Sequence, residues 1–119
     1  MKNDLVSVII PTFNRFEYLQ DAIRSVKSQQ YDNLEIIVIN DGSSDNSSQI
    51  LKENKNLYDQ LINNDKNRGK GFSVKEGLKF AKGEYIIFQD ADLEYDPNDF
   101  IKFFNVIEKF EPDLIIGSR

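Results

Sequence analysis

The feature that most constrains this chain is a set of short apolar runs that do not alternate with polar residues. Val6-Ser7-Val8-Ile9-Ile10, residues 34–39, Tyr85-Ile86-Ile87-Phe88 and Leu114-Ile115-Ile116 are rich in β-branched and aromatic side chains. A strand with one wet face alternates apolar and polar. A run without alternation is covered on both faces, as in a parallel sheet between helices. The runs are far too short to cross a bilayer as helices. Between them lie stretches of helical period: Leu19, Ala22, Ile23 and Val26 form the i, i+3, i+4, i+7 stripe of a helix over residues 17–29. Ser44 or Asp45 is the expected cap of a weaker helix running to about Asn54, and residues 58–62 read as a third strand. Val74, Leu78 and Ala81 mark a helix closed by Gly83. Asp96 and Pro97 suit the cap and first position of a fourth helix, with Phe100, Phe103, Phe104 and Ile107 as its core stripe. The strand–helix alternation predicts an α/β fold: a doubly wound, mostly parallel sheet with helices on both faces, in one domain over residues 1–119. Such sheets take ligands beyond the carboxyl ends of their strands.

Composition narrows the chemistry. The chain has 15 Lys+Arg against 20 Asp+Glu, a net charge of −5, and no basic stripe of the kind that binds nucleic acid. It has no Cys, hence no disulfide framework, thiolate nucleophile or Cys-bound zinc. It has no His either, which removes the usual general base and transition-metal ligand. Carboxylates, hydroxyls, Lys, Arg and a hard metal ion are what remain. Met1-Lys2-Asn3-Asp4 lacks the apolar core of a signal peptide, so a cytoplasmic chain is expected.

Polar residues gather at the ends of the apolar runs. Asp90-Ala91-Asp92 places two carboxylates at i and i+2, on one side of an extended backbone. They repel, and burial raises their pKa unless a cation compensates. Mg²⁺ or Mn²⁺ suits them, with diphosphate oxygens and water completing the shell and Glu94 joining directly or through water. The plainer reading is a solvated loop with helix-capping acids. Asp41-Gly42-Ser43-Ser44-Asp45 either offers Asp41 to a base or ribose or is an ordinary capped turn. Asn67-Arg68-Gly69-Lys70-Gly71 puts two cations and two glycines before a helix, with Lys75 on its first turn. That suits phosphate, or is a solvated basic loop; the P-loop spacing fails. Pro11-Thr12-Phe13-Asn14 is either a ligand-contacting segment or a rigid strand exit.

Taken in order, residues 6–14, residues 36–45, Asn67-Arg68-Gly69-Lys70-Gly71 and Asp90-Ala91-Asp92 resemble the family 2 glycosyltransferases of the GT-A fold. The resemblance implies a UDP- or GDP-sugar donor and a Mg²⁺ or Mn²⁺ ion. Asp41 matches the family's base-contacting carboxylate, and Pro11, Thr12 and Asn14 match the segment that wraps the nucleoside. Arg68, Lys70 and Lys75 are the cations near the diphosphate, Asp92 is the principal metal ligand, and Asp90 is its partner nearer the donor. Many members have Asp where Asn40 stands, so no role passes to Asn40. The second half, through residues 89–97 and Gly117-Ser118-Arg119, resembles polyprenyl-phosphate sugar transferases. Glu94 stands where members of that branch often have a metal-site Gln, and Arg119 matches an arginine facing the phosphate end of the pocket. The first half also resembles members that extend polysaccharides.

The implied reaction is inverting transfer to a lipid-phosphate or glycan acceptor, with Asp90, Asp92 and Arg119 at the reacting end. Competing readings are a nucleotidyltransferase that makes nucleotide sugars and a non-enzymatic doubly wound binding module. The family fold is longer than 119 residues, so the chain reads as the truncated, N-terminal, donor-binding part of a longer enzyme, with the acceptor half and general base elsewhere. By itself it is expected to have little or no activity, and either to self-associate through the edge formed by residues 85–88 and 114–116 or to rearrange its C-terminal segment. In the full-length protein the inner face of the membrane is the expected place of action, contacted through the missing parts or the acceptor. The metal assignment has a direct check. In calorimetry with UDP or GDP and Mn²⁺, Asp92→Asn is expected to weaken nucleotide binding more than Asp90→Asn. Equal, metal-independent affinity in the wild type and both variants counts against it.

Overall fold

The computed structural model describes residues 4–14, 16–28, 31–44 and 46–88. The β-branched runs form strands, because branched side chains fit a pleated, doubly covered surface. They are β1 (Val6–Thr12), β2 (Leu34–Asn40), β3 (Gln60–Asn63) and β4 (Tyr85–Phe88), alternating with α1 (Phe16–Lys27), α2 (Ser47–Glu53) and α3 (Lys70–Phe80). The sheet order is β3-β2-β1-β4, and every pairing is parallel. The expected fourth helix from Asp96 and strand at 114–116 lie outside the described residues, as does half of the edge expected to self-associate.

The strand alternation divides the core between two faces. Val6, Val8, Ile10, Ile36 and Val38 pack with Leu19, Ile23 and Val26 of α1 and Leu51 of α2. Ile9, Ile37 and Ile39 face the other way, with Ile62 and Ala81 against them. The chain runs from β1 to β3 in one direction with α1 and α2 on one face, then α3 carries it back over the opposite face to β4. That reversal makes the β1–β4 pair the topological switch point of the sheet, and doubly wound sheets take their ligands outside the carboxyl ends of the strands at such a point.

The helical stripe predicted for α1 is the one found: Leu19, Ala22, Ile23 and Val26 are fully buried. Two details differ from the sequence reading. Helix α3 buries Ser73 and Gly77, while Leu78 is 42% exposed. The cause is close approach: a Cβ built on Gly77 falls 2.7 Å from Cγ2 of Ile9, so the helix seats its smallest residue on β1. Helix α2 begins after Asn46, without a side-chain cap hydrogen bond. Ser44 does not cap it, because its hydroxyl and amide are engaged by Asn14, and Asp45, the other expected cap, lies outside the described residues.

At the amino edge of the sheet, Glu35 is buried, 8% exposed. Its Oε2 accepts from the Ser7 hydroxyl at 2.7 Å and the Lys82 amide at 3.0 Å, and its Oε1 from the Gln60 side chain at 2.6 Å. The Ser7 hydroxyl in turn accepts from the Gly83 amide at 2.8 Å. Burial is the largest influence on this carboxyl and pushes its pKa up, but the Lys82 amide, Ser7, Gln60 and the Lys82 charge together hold it below its usual 4.5. A depressed folded pKa contributes stability above the unfolded value that is lost as pH falls through the folded one. Urea midpoints of the wild type should therefore fall as pH drops below about 4.5. Glu35→Gln should cost about 1–3 kcal/mol at neutral pH and show a shallower acid slope. Parallel pH profiles of the two proteins would remove Glu35 as a source of acid lability.

Candidate functional site

The β1–β2 register aligns Thr12 with Asn40, and the β2–β3 register aligns Asn40 with Asn63. Three strands thus end level, each in a polar residue. The ladder continues for one step, from the Asp41 amide to the Thr12 carbonyl at 2.9 Å and from the Asn64 amide to the Asn40 carbonyl at 2.9 Å. Asn40 is 3% exposed. It donates to Asn63 Oδ1 at 3.0 Å and accepts from the Ser43 amide at 3.3 Å, so its polar atoms serve the edge itself.

The first two exit loops are locked together by Asn14, which adopts the left-handed region at φ 53°. Asparagine tolerates this conformation because its short side chain can bond locally. Its amide donates to the Ser43 hydroxyl at 3.0 Å, its Nδ2 to the Ser44 hydroxyl at 3.1 Å, and its Oδ1 accepts from the Ser44 amide at 2.8 Å. Beside it, the Thr12 hydroxyl is buried and has no hydrogen-bond partner among the described residues. An orphaned buried hydroxyl is unfavourable and needs an explanation.

The loop 64–69 lies directly on the second turn. Gly42 has φ +70°, and a Cβ there would sit 2.3 Å from the Lys66 carbonyl carbon, so glycine is required by contact as well as by conformation. Asp41, 5% exposed, faces the same loop. Its Oδ1 accepts from the Asn64 side chain and the Arg68 amide, both at 2.9 Å, and its Oδ2 from the Gly69 amide at 3.0 Å. Burial is the largest influence and raises its pKa; the Arg68 amide, Asn64, the Gly69 amide and the Ser73 hydroxyl outweigh it and hold the carboxyl below its usual 3.8.

The Arg68 guanidinium bonds Asp65 at 3.1 Å and lies over the Phe72 ring, 5.1 Å from its centroid. This ion pair is at the surface, where such pairs are weak and exchange readily for another anion. Lys70 opens α3, and Lys75 is exposed one turn further along it. The structure therefore brings Pro11, Thr12, Asn14, Asp41, Arg68 and Lys70 to one edge, while Lys75 stands out from it on the helix. Asp90, Asp92, Glu94 and Arg119 lie outside the described residues, and among the described residues no group of three or more acidic side chains could hold a metal ion. Asn64, Asp65 and Ser73 were not singled out by sequence; the only signal for Asn64 was a polar residue directly after a strand.

Comparison with known proteins decides the family. Residues 7–119 match the model of glycosyl transferase family 2. The chain belongs to that family. It is 39% identical over 114 residues to a poly-β-1,6-N-acetyl-D-glucosamine synthase of Staphylococcus epidermidis, covering 95% of this chain but 27% of that protein. To glycosyltransferase GlyG of Streptococcus pneumoniae it is 30% identical over 122 residues, covering 98% of this chain and 39% of that protein. The family 2 chain thus spans well under half the length of these relatives. Among solved structures, residues 1–349 of Staphylococcus aureus TarS in complex with UDP-GlcNAc superpose with a TM-score of 0.76 at 26% identity, over 90% of this chain and 32% of that one. A Pyrobaculum calidifontis mannosyltransferase, solved with GDP-Man and Mn²⁺, shares the fold with a TM-score of 0.73 at 24% identity, over 85% and 31%. The GT-A architecture read from the motifs is the one found. Membership stands at the level of the family rather than of its polyprenyl-phosphate branch.

The Asn14 lock gives a stability prediction for the family 2 chain. Asn14→Val, β-branched at positive φ, should cost about 1–3 kcal/mol. Asn14→Gly, which relieves the backbone but loses the side-chain bonds, should cost less. Equal thermal denaturation midpoints for Asn14→Val and the wild type would show that the left-handed conformation carries no constraint.

Proposed function

We propose that this chain is the donor-binding, N-terminal part of a longer, inverting glycosyltransferase, and that it holds a UDP- or GDP-sugar beyond the carboxyl ends of β1, β2 and β4. The observation that carries this reading is the convergence on one edge of Pro11, Thr12 and Asn14, the Asp41–Ser44 turn and the cation-bearing 64–69 loop. The family membership and the UDP-GlcNAc held by TarS support it.

The nucleoside is assigned to the β1 exit, where the unpartnered Thr12 hydroxyl supplies a buried hydrogen-bonding group. The diphosphate is assigned to the start of α3, with Lys70 and with Arg68 exchanging Asp65 for a phosphate oxygen; Lys75 adds positive charge. Asp90 and Asp92, with Glu94, directly follow β4 in sequence, and their oxygens are hard donors that suit Mg²⁺ or Mn²⁺. When bound, such an ion would offset the charge that develops on the departing nucleotide diphosphate.

The acceptor most in keeping with the poly-N-acetylglucosamine synthase relative is a glycan hydroxyl, which needs a carboxylate base to remove its proton. A polyprenyl phosphate is the second reading, favoured by the Arg119 match in Gly117-Ser118-Arg119. A phosphate monoester is already ionised near pH 7 and needs cations for positioning more than a base. A cytoplasmic location, at the inner membrane face when the acceptor is lipid-borne, fits either case.

Thr12→Val tests the nucleoside assignment. Replacing an unpartnered buried hydroxyl with a methyl should leave the free protein as stable as the wild type, or slightly more so. Uridine or guanosine affinity should fall by about 1 kcal/mol or more in calorimetry. Undiminished nucleoside binding in a normally folded Thr12→Val chain would move the nucleoside away from the β1 exit.

A further inference from the structure

The chain between α3 and β4 is held by a polar network at the opposite end of the sheet from the donor edge. The Lys82 amide donates to Oε2 of Glu35 on β2 at 3.0 Å. The Gly83 amide donates to the Ser7 hydroxyl of β1 at 2.8 Å, and the Glu84 amide to the Leu5 carbonyl at 2.8 Å. Consecutive amides from Lys82 to Glu84 are thus captured just before β4 begins. Ser7 lies opposite Glu35 in the sheet, and its hydroxyl donates to that carboxylate at 2.7 Å. Gln60 of β3 donates to Oε1 of Glu35 at 2.6 Å and to the Phe80 carbonyl at 3.1 Å. Gly83 seats the connection closely: a Cβ there would fall 2.7 Å from the Leu5 carbonyl oxygen and from the nitrogen and hydroxyl of Ser7.

What this network fixes is the register of β4. That strand pairs with β1 from Val6 opposite Tyr85 to Ile9 opposite Phe88. Register is set where a slip would bring polar residues to a buried face. Tyr85-Ile86-Ile87-Phe88 is apolar at every position, so a slip of one residue exchanges apolar for apolar and burial discriminates weakly. Tyr85 and Ile87 pack on the α1-side core, while Ile86 is 38% and Phe88 49% exposed. The captured amides supply the discrimination that the side chains lack. The consequence lies at the other end of the strand, because Asp90 and Asp92 follow Phe88 in the chain. A slip of one residue moves a strand by about 3.3 Å, whereas metal–ligand distances tolerate about 0.2 Å.

We propose that Glu35, acting with Ser7, is a positioning residue for the metal end of the donor site: it pins the 82–84 connection, and so sets the level at which the chain leaves β4 toward Asp90 and Asp92. Glu35 touches no substrate; it acts through the strand that precedes the metal-ligating carboxylates. Ligands held in place before the ion arrives bind it more tightly than ligands that must first be ordered. The proposal rests on the donor-site reading above, with Asp90 and Asp92 as metal ligands, and the experiment separates the two.

The test compares the full chain with Glu35→Ala, Glu35→Gln, Ser7→Ala and Gly83→Ala. It uses amide hydrogen exchange, calorimetry of uridine, guanosine, UDP and GDP, and the paramagnetic resonance signal of free Mn²⁺. Glu35→Ala should speed exchange at Lys82, Gly83 and the β4 amides about ten-fold or more, with α1 amides unchanged. The Mn²⁺ concentration that half-saturates the complex with UDP or GDP should rise about ten-fold, the scale on which groups outside a metal's ligand shell act through its ligands. The nucleoside alone should bind as before. Gly83→Ala leaves the carboxylate intact but displaces the connection, and should show the same split. Glu35→Gln can still turn its oxygen to Ser7 and Lys82, so its Mn²⁺ requirement should stay near that of the wild type even where its denaturation midpoint falls. Ser7→Ala makes the same comparison if Glu35→Ala does not fold. An unchanged Mn²⁺ requirement in the variants whose β4 exchange is faster, or equal losses for nucleoside and diphosphate, would overturn the proposal. If the wild type binds UDP and GDP without Mn²⁺, or not at all, the metal reading of the donor site fails. Exchange in β4 then decides the register role alone: faster in Glu35→Ala sustains it, unchanged refutes it.

Discussion

The arrangement depends first on the parallel pairing of β1 with β2, from Val6 opposite Leu34 to Thr12 opposite Asn40. Val8, Ile9, Ile10, Ile37, Val38 and Ile39 in this pair are fully buried, so both faces must be covered by helices. The side-chain period of a strand is two, and a slip of one residue would exchange the residues facing α1 with those facing α3. The same register brings Thr12 and Asn40 level, and with them the loops that Asn14 joins. The site edge is therefore a consequence of core packing.

Helix α3 has few large apolar residues on its buried side, which carries Ser73 and Gly77. It is held instead at both ends by buried carboxylates from β2 or its exit. Asp41 takes the amides of Arg68 and Gly69 where the helix begins. Glu35 takes the Lys82 amide just after it ends, while Gln60 bonds the Phe80 carbonyl at 3.1 Å. An anion beside a helix N-terminus also gains from the exposed amides there. Charge-assisted hydrogen bonds are stronger than neutral ones and set position more sharply than aliphatic contact does. A helix that opens with Lys70 is thus fixed at both ends by polar groups.

Much of this was legible from residue order. Within the described residues the apolar runs marked the positions of the strands, the stripe through Leu19 and Val26 marked the buried face of α1, and Pro11-Thr12-Phe13-Asn14, Asp41-Gly42-Ser43 and the Arg68–Lys70 pair marked loops that meet at one edge of the sheet. The buried face of α3 was misread because hydrophobicity ranks Leu78 above Gly77, whereas close approach to Ile9 favours the residue with no side chain. Ser44 was misread as a candidate cap of α2 because it has a partner thirty positions away in Asn14.

What the sequence determined by itself is the fold class and the segments that meet at one edge of the sheet, because strand burial and strand-end polarity leave local, periodic traces. What only the tertiary structure decided is how polar groups are paired. Glu35, inside a strand, takes the amide of Lys82, 47 residues away. Asp41 shows no partner in the residue order, yet Arg68, 27 residues on, donates its amide to it. A carboxylate bonds whichever donors the fold brings within about 3 Å, and separations of that kind leave no period in the chain for a sequence reading to find.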